Sequence, residues 1–196
     1  RDSGNERQNL AYQIEVALND LNNPNGIFNQ STFDPNIVIF ALGTNDGLPN
    51  DTFDDAMSKT VYKSDGNTVD IEKTLNNLDL TKFNESVRYA FLKIKSTFPM
   101  AQIFVILPIQ RAGKNTWFES LHNSLEKMAK TYSCIVIDGA SDCGINSDLE
   151  TFNGLGVYLK DGLHPNEKGQ NLMLKMIVSS LLMNFMDFDG MNTIIN

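Results

Sequence analysis

Three short apolar runs constrain the fold more than any other feature of the chain. They are rich in β-branched residues, each is too short to be a buried helix, and they span 37–42, 103–107 and 134–137. Continuous apolar runs of this length are typical of parallel strands that are covered on both faces. We therefore predict three buried strands, with 37–42 as a central one.

Amphipathic helical patterns stand before and between these runs. Apolar residues recur at helical spacing over about 6–21, 80–97 and 116–130. A final helix is expected just beyond Pro165, with its most apolar part, 172–188, packed against the rest of the chain. Strand, crossover helix and strand in repetition predict a right-handed parallel α/β sheet with helices on both faces.

The length and net charge of the chain argue against several classes of function. At 196 residues the chain fits a single domain, and its net charge of −8, with no cluster of Lys or Arg, argues against nucleic acid or an anionic membrane as partner. No apolar run approaches the about 20 residues that cross a bilayer. The chain begins at Arg1 without a leader-like segment, so the compartment stays open, with a periplasmic or extracellular location slightly favoured.

Two polar motifs follow predicted strands or precede the last helix. Asp161 lies three residues before His164, a spacing that lets the carboxylate orient the imidazole as a general base. Asn45, in Gly43-Thr44-Asn45-Asp46, directly follows the strand at 37–42, where its amide could donate to an oxyanion. Because open α/β sheets bind ligands at the carboxyl ends of their strands, we expect Asn45, Asp161 and His164 to converge there.

Further residues at this edge are candidates for substrate contact. The turn 108–117 follows the second strand and would line the same edge. Its candidates are Arg111 and Trp117, with Trp117 and Phe118 equally compatible with the core. Gly43 is a candidate from the first motif.

These motifs resemble those of the SGNH subgroup of the GDSL esterase and lipase superfamily. Gly43-Thr44-Asn45-Asp46 resembles the block whose Asn donates to the oxyanion, and Asp161-Gly162-Leu163-His164-Pro165 resembles the block that carries the acid and base of a triad. The resemblance covers most of the chain. It implies a flavodoxin-like three-layer α/β/α fold with a parallel sheet, and an esterase that uses no cofactor.

The family's Gly-Asp-Ser block, which supplies the nucleophile, has no clear counterpart. Asp2-Ser3 is the nearest match, but only one helical pattern separates it from Asn45. The favoured alignment makes residues 1–5 the second block, with Gly4 or a lost neighbour giving an oxyanion N–H. On that alignment the chain lacks the first strand, first helix, second strand and nucleophile; the alternative is Ser3 as nucleophile.

Two expectations follow from the favoured alignment. The chain from Arg1 to Asn196 would not be an active serine esterase by itself. The sheet edge beside 37–42 would be uncovered, or covered by another polypeptide, because an open edge exposes unpaired N–H and C=O groups.

The remaining polar and titratable residues have structural interpretations. Asp46 is expected to organise its loop, and His122 to be exposed on a helix. The acidic residues at 51, 54 and 55 fit a helix start near Thr52 better than a metal site, and no metal is expected. Cys134 and Cys143 are compatible with a disulfide or with two unpaired thiols.

The resemblance implies acyl transfer through a serine ester intermediate. His164 would move the protons, Asp161 would orient His164, and Asn45 would stabilise the oxyanion. Short acyl or acetyl esters of carbohydrates are the favoured substrates, since the chain is acidic and shows no lipid-docking helix. The alternatives are a lysophospholipase or thioesterase, and a non-catalytic member that binds a glycan or a protein partner.

Overall fold

The computed structural model describes residues 10–23, 34–43, 47–113, 116–151 and 156–185. The chain packs as two compact units, Arg1–Val105 with Thr116–Val136, and Ile106–Asn115 with Ile137–Asn196. The prediction of a single domain over 1–196 stays a prediction.

Three strands form one parallel sheet in the order β1-β2-β3: β1 is Ile37–Ala41, β2 is Gln102–Ile106 and β3 is Ile135–Ile137. All three overlap the apolar runs: β1 and β3 are shorter than their runs, and β2 lies one residue earlier in the chain than its run. The interior residues of β2 are fully buried. β2 and β3 run from the first unit into the second.

The prediction of a central strand at 37–42 is wrong for the described part of the sheet. There β1 stands at the end of the sheet, and its Ile37 and Ile39 side chains are 41% and 46% exposed. Phe40 points the other way and packs on Phe91, with ring centroids 5.6 Å apart. An apolar run indicates that a strand can be buried, but the strands beside it decide whether it is.

Five helices lie in the described part of the first unit: α1 is Leu10–Asn22, α2 Phe53–Ser58, α3 Ile71–Asn77, α4 Phe83–Thr97 and α5 Thr116–Thr131. The helical patterns predicted α1, α4 and α5, although residues 6–9 of the first pattern lie outside the described residues. α2 begins where expected, at a capping box in which the Thr52 hydroxyl accepts from the Asp55 N–H and the Asp55 carboxylate accepts from the Thr52 N–H. α3 was not predicted, because its seven residues are too few to show a helical period.

The second unit contains α6, Gly139–Asp142, a 3₁₀ turn at Ser147–Leu149, and α7, Glu167–Phe185. α7 begins where the sequence predicts. The expectation that its apolar part is packed is wrong for much of 172–185, since the buried residues of α7 are Gly169 and Met176. The large apolar side chains exposed on α7 are Leu174, Val178, Leu182, Met183 and Phe185.

A buried arginine joins three elements of the first unit. Arg88 on α4 is 2% exposed, and its guanidinium donates to the Ala56 carbonyl at 2.5 Å, the Thr60 hydroxyl at 2.7 Å and the Tyr132 hydroxyl at 2.7 Å. The planar fork reaches these acceptors simultaneously, which a lysine cannot do. Arg88 therefore connects the end of α2 to α4 and to the segment that follows α5.

We expect Arg88→Met to lower the free energy of unfolding by about 3 kcal/mol or more, because it leaves buried oxygens without donors. Arg88→Lys should restore only part of the loss, since it keeps the charge without the fork. Lys130→Met on α5, an exposed side chain, is the control and should change stability by less than about 0.5 kcal/mol. Urea unfolding measures all three, and an Arg88→Met protein as stable as the wild type would contradict the assignment.

Candidate active site

The loop that carries Asp161 and His164 is built around one carboxylate. Asp161 Oδ1 accepts hydrogen bonds from the backbone N–H groups of Leu163 at 3.1 Å and His164 at 2.7 Å. Gly162, between Asp161 and Leu163, has φ of +81°, a left-handed conformation that favours glycine. The sequence Asp-Gly-Leu-His therefore closes a tight turn through its own side chain.

The second carboxylate oxygen fixes the imidazole. Asp161 Oδ2 lies 2.7 Å from His164 Nδ1, the hydrogen bond that the spacing of the two residues predicts. A carboxylate at Nδ1 places the proton of the neutral ring there and leaves Nε2 as the basic nitrogen. The His164 side chain is 59% exposed, and among the described residues nothing bonds to its Nε2.

These contacts also set the charge of the pair. The backbone N–H of His164, followed by its ring, lowers the pKa of Asp161 from 3.8 to about 2. Donors directed at the ionised form stabilise it, which is the usual cause of such a shift. Asp161 is therefore a carboxylate throughout the pH range in which an imidazole can act as a base.

A short antiparallel bridge between Leu159 and Pro165 closes the base of the loop. The hydrogen bonds lie on either side of this pair, from Asn166 N–H to the Tyr158 carbonyl at 2.8 Å and from Lys160 N–H to the His164 carbonyl at 2.9 Å. Pro165 thus occupies a position of the bridge that needs no N–H donor. The bridge holds together the two ends of the loop that carries Asp161 and His164, here called the dyad loop.

The start of α7 is fixed to the same bridge. Asn166 Oδ1 accepts from the Gly169 N–H at 3.1 Å, as an N-cap, and its Nδ2 donates to the Val157 carbonyl at 3.2 Å. A Cβ at Gly169 would overlap the Tyr158 carbonyl oxygen, so only glycine lets the helix approach so closely. The sequence predicts a helix start here, but it does not show the packing that requires the glycine.

The turn after β2 contacts the dyad loop within the second unit. Ala112 N–H donates to the Gly162 carbonyl at 2.9 Å. Gln110 donates to the Ala140 carbonyl at 2.8 Å and accepts from the Ser147 N–H at 3.0 Å, so its side chain holds the turn in place. Arg111 is half-buried, and burial lowers the pKa of its guanidinium.

The two other substrate-contact candidates belong to the first unit. Gly43 is buried with φ of +89°, a conformation that suits glycine at the end of β1. Trp117 is half-buried and its ring meets that of Phe118 edge-on at 6.3 Å. Contact of either with a substrate stays a prediction.

Several predicted site residues lie outside the described residues: Ser3, Gly4, Asn45 and Asp46. The expected convergence of Asn45 with Asp161 and His164 therefore stays a prediction.

The segment that follows the Asn45 motif is anchored on α4. Asp51 accepts from the N–H groups of Asn84 at 2.8 Å and Glu85 at 3.1 Å, and Asn50 accepts from that of Phe83 at 2.9 Å. The first turn of α4 thereby receives partners for three of its N–H groups. Asp51 therefore caps α4, not the helix start near Thr52 to which the sequence assigned it, whereas Asp54 and Asp55 lie in the first turn of α2 as expected.

The histidine and the cysteines outside the dyad loop are partly or fully buried. His122 is half-buried and packs against Phe118, one turn earlier on α5, with ring centroids 6.1 Å apart, so the expectation of an exposed histidine is wrong. Cys134 and Cys143 are buried free thiols, and burial raises the pKa of Cys134 to about 11.

In the described ranges, no group of three or more His, Cys, Asp or Glu could hold a metal ion. No helix of those ranges is long and apolar enough to cross a membrane.

Comparison with known proteins gives the family. The model of the GDSL-like lipase/acylhydrolase family matches residues 3–177. The chain belongs to this family. Its members hydrolyse esters, and Asp161-Gly162-Leu163-His164-Pro165 lies within the matched range. No curated protein matches the chain.

Solved structures share the fold of this member of the GDSL-like family. A protein from Lactobacillus plantarum is 13% identical with a TM-score of 0.55, over 85% of this chain and 77% of that one. A possible lipase from Chitinophaga pinensis DSM 2588 is 18% identical with a TM-score of 0.55, over 78% and 74%. A provisionally assigned GDSL-like lipase from Parabacteroides merdae ATCC 43184 is 18% identical with a TM-score of 0.51, over 87% and 67%. The predicted SGNH hydrolase fold is confirmed.

The charge of Asp161 gives a pH prediction. Its pKa in the folded protein lies below the ordinary value, so the ionised form stabilises the loop above about pH 3.8, and this stabilisation is lost as the pH falls through about 2. ¹³C NMR of the side-chain carboxyl should show a midpoint near 2. In His164→Ala the midpoint should rise but stay below 3.8, because the backbone donors remain. An ordinary Asp midpoint in the wild type would contradict the hydrogen-bond pattern.

Proposed function

We propose that the complete protein is a serine ester hydrolase in which His164 is the general base and Asp161 its orienting carboxylate. The observation that carries the proposal is the 2.7 Å contact between Asp161 Oδ2 and His164 Nδ1, which leaves Nε2 open. The family to which the chain belongs consists of ester hydrolases. An imidazole held in this tautomer can take a proton from a serine hydroxyl.

The reaction would proceed in two halves. His164 takes the proton of the serine as its oxygen bonds to the ester carbonyl carbon, and it returns that proton to the alcohol that leaves. Water then repeats the sequence and releases the acid. Asn45 and the Gly4 N–H would donate to the oxyanion in both tetrahedral intermediates, while Asp161 stabilises the imidazolium.

We propose acetyl or short-acyl esters of carbohydrates as substrates. The net charge of −8 disfavours an anionic lipid surface, and the 59% exposed His164 side chain suits an ester carried on a bulky polar molecule. The provisional lipase assignments of two similar structures make lysophospholipids the alternative to test.

A panel of esters tests the activity and the substrate class. In a form of the protein that carries the nucleophile, acetylated sugars should turn over faster than lysophospholipids. His164→Ala should lower kcat by about 10⁴-fold or more, because in the proposed mechanism this imidazole moves the proton in both halves of the reaction. His122→Ala is the matched control and should leave kcat unchanged. Faster turnover of lysophospholipids would replace the carbohydrate proposal, and binding of acetylated glycans without turnover would indicate a non-catalytic member.

Labelling with a fluorophosphonate tests the nucleophile. We expect the chain from Arg1 to Asn196 to show neither label nor turnover of an aryl acetate, because on the favoured alignment Ser3 follows the second strand of the family fold. Mass spectrometry of the peptides locates any label, and Ser3→Ala controls for that position. Label at Ser3, together with turnover that is lost in Ser3→Ala, would make Ser3 the nucleophile.

A further inference from the structure

A buried carboxylate other than Asp161 accepts hydrogen bonds from the backbone just before the dyad loop. Glu150 follows the 3₁₀ turn and is 7% exposed. Its Oε1 accepts from the Tyr158 N–H at 2.9 Å and its Oε2 from the Leu159 N–H at 2.8 Å. Among the described residues no cation pairs with it, so backbone donors alone offset the cost of its burial.

The surroundings of Glu150 fit a carboxylate closely. Gly156 N–H donates to the Leu159 carbonyl at 2.8 Å, which folds the chain around the acid. A Cβ at Gly156 would overlap Oε2 of Glu150, so the glycine leaves the space that the carboxylate occupies. Two adjacent N–H groups need two acceptors, and a carboxylate supplies both.

The two residues that Glu150 holds form one side of the bridge that closes the dyad loop. Tyr158 accepts from Asn166 at the start of α7, and Leu159 stands opposite Pro165. Lys160, the next residue, donates to the His164 carbonyl at 2.9 Å. Glu150 thus fixes the strand segment immediately before Asp161.

We infer that Glu150 is a positioning residue of the active site, which sets the geometry of Asp161 and His164 through the backbone of Tyr158 and Leu159. The inference rests on the proposed function for its catalytic meaning. The link itself can be measured without turnover. Removing one acceptor should loosen the bridge and widen the Asp161 to His164 contacts before it affects the sheet.

The test compares Glu150→Gln with Asp148→Asn, which makes the same change on an exposed side chain two residues away. Hydrogen exchange of the Tyr158, Leu159 and Asn166 amides should be about tenfold faster in Glu150→Gln, because an amide supplies one acceptor where two are needed. The midpoint of Asp161 should rise from about 2 toward 3.8. Exchange of the β2 amides should not change, and Asp148→Asn should resemble the wild type throughout.

Two results would overturn the inference. One is a Glu150→Gln protein with wild-type exchange at the bridge and an unchanged Asp161 midpoint. The other is equal acceleration at the bridge and in β2, which would mean that Glu150 only supports overall stability. Should Glu150→Gln fail to fold, Glu150→Asp provides the same readouts, since it keeps both acceptors on a shorter arm and should show a smaller effect of the same pattern.

Turnover separates this inference from the proposed function. In a form that hydrolyses esters, Glu150→Gln should lower kcat about tenfold with little change in KM, because the substrate does not touch Glu150. A form that carries the nucleophile but shows no turnover of any ester, and in which Glu150→Gln still alters the bridge and the Asp161 midpoint, would refute the esterase proposal and leave the positioning role in place.

Discussion

The hydrogen bonds that Asp161 accepts are the interaction on which the candidate site depends. One oxygen holds two backbone N–H groups and thereby the shape of the loop, and the other holds the His164 ring. The same donors keep the pKa of Asp161 near 2, so the charge that orients the imidazole is present whenever the imidazole is neutral. Loop geometry, tautomer and electrostatics therefore share one cause.

The described structure holds this loop by backbone contacts from several directions. The Leu159 and Pro165 bridge closes its base, the turn after β2 bonds to Gly162, and α7 approaches closely at Gly169. A flexible loop would present the imidazole in many orientations, and catalysis needs a narrow range of them. Polar backbone groups hold the loop while the imidazole itself stays accessible to substrate.

Side-chain caps have a comparable role in the first unit. Asp51 and Asn50 bond to the first turn of α4, which anchors the segment after the Asn45 motif, and Arg88 ties α4 to α2. Buried polar groups of this kind are costly unless each finds a partner, so they fix the register of the elements that they join. The segment that follows the Asn45 motif is thus held in a defined position on α4.

The sequence by itself determined the α/β class, the positions of all three strands and the helices with a clear period, and the Asp161 to His164 contact. These depend on periodicity or on neighbours within three residues, which a linear pattern contains. Tertiary structure alone decided that Ile37 and Ile39 of β1 are exposed, that α7 exposes several apolar side chains, and that Glu150 bonds to the backbone before Asp161. The physical reason is that burial, and the partners of a carboxylate eight or nine residues away, follow from how the elements pack. Packing depends on the whole chain and not on any local pattern.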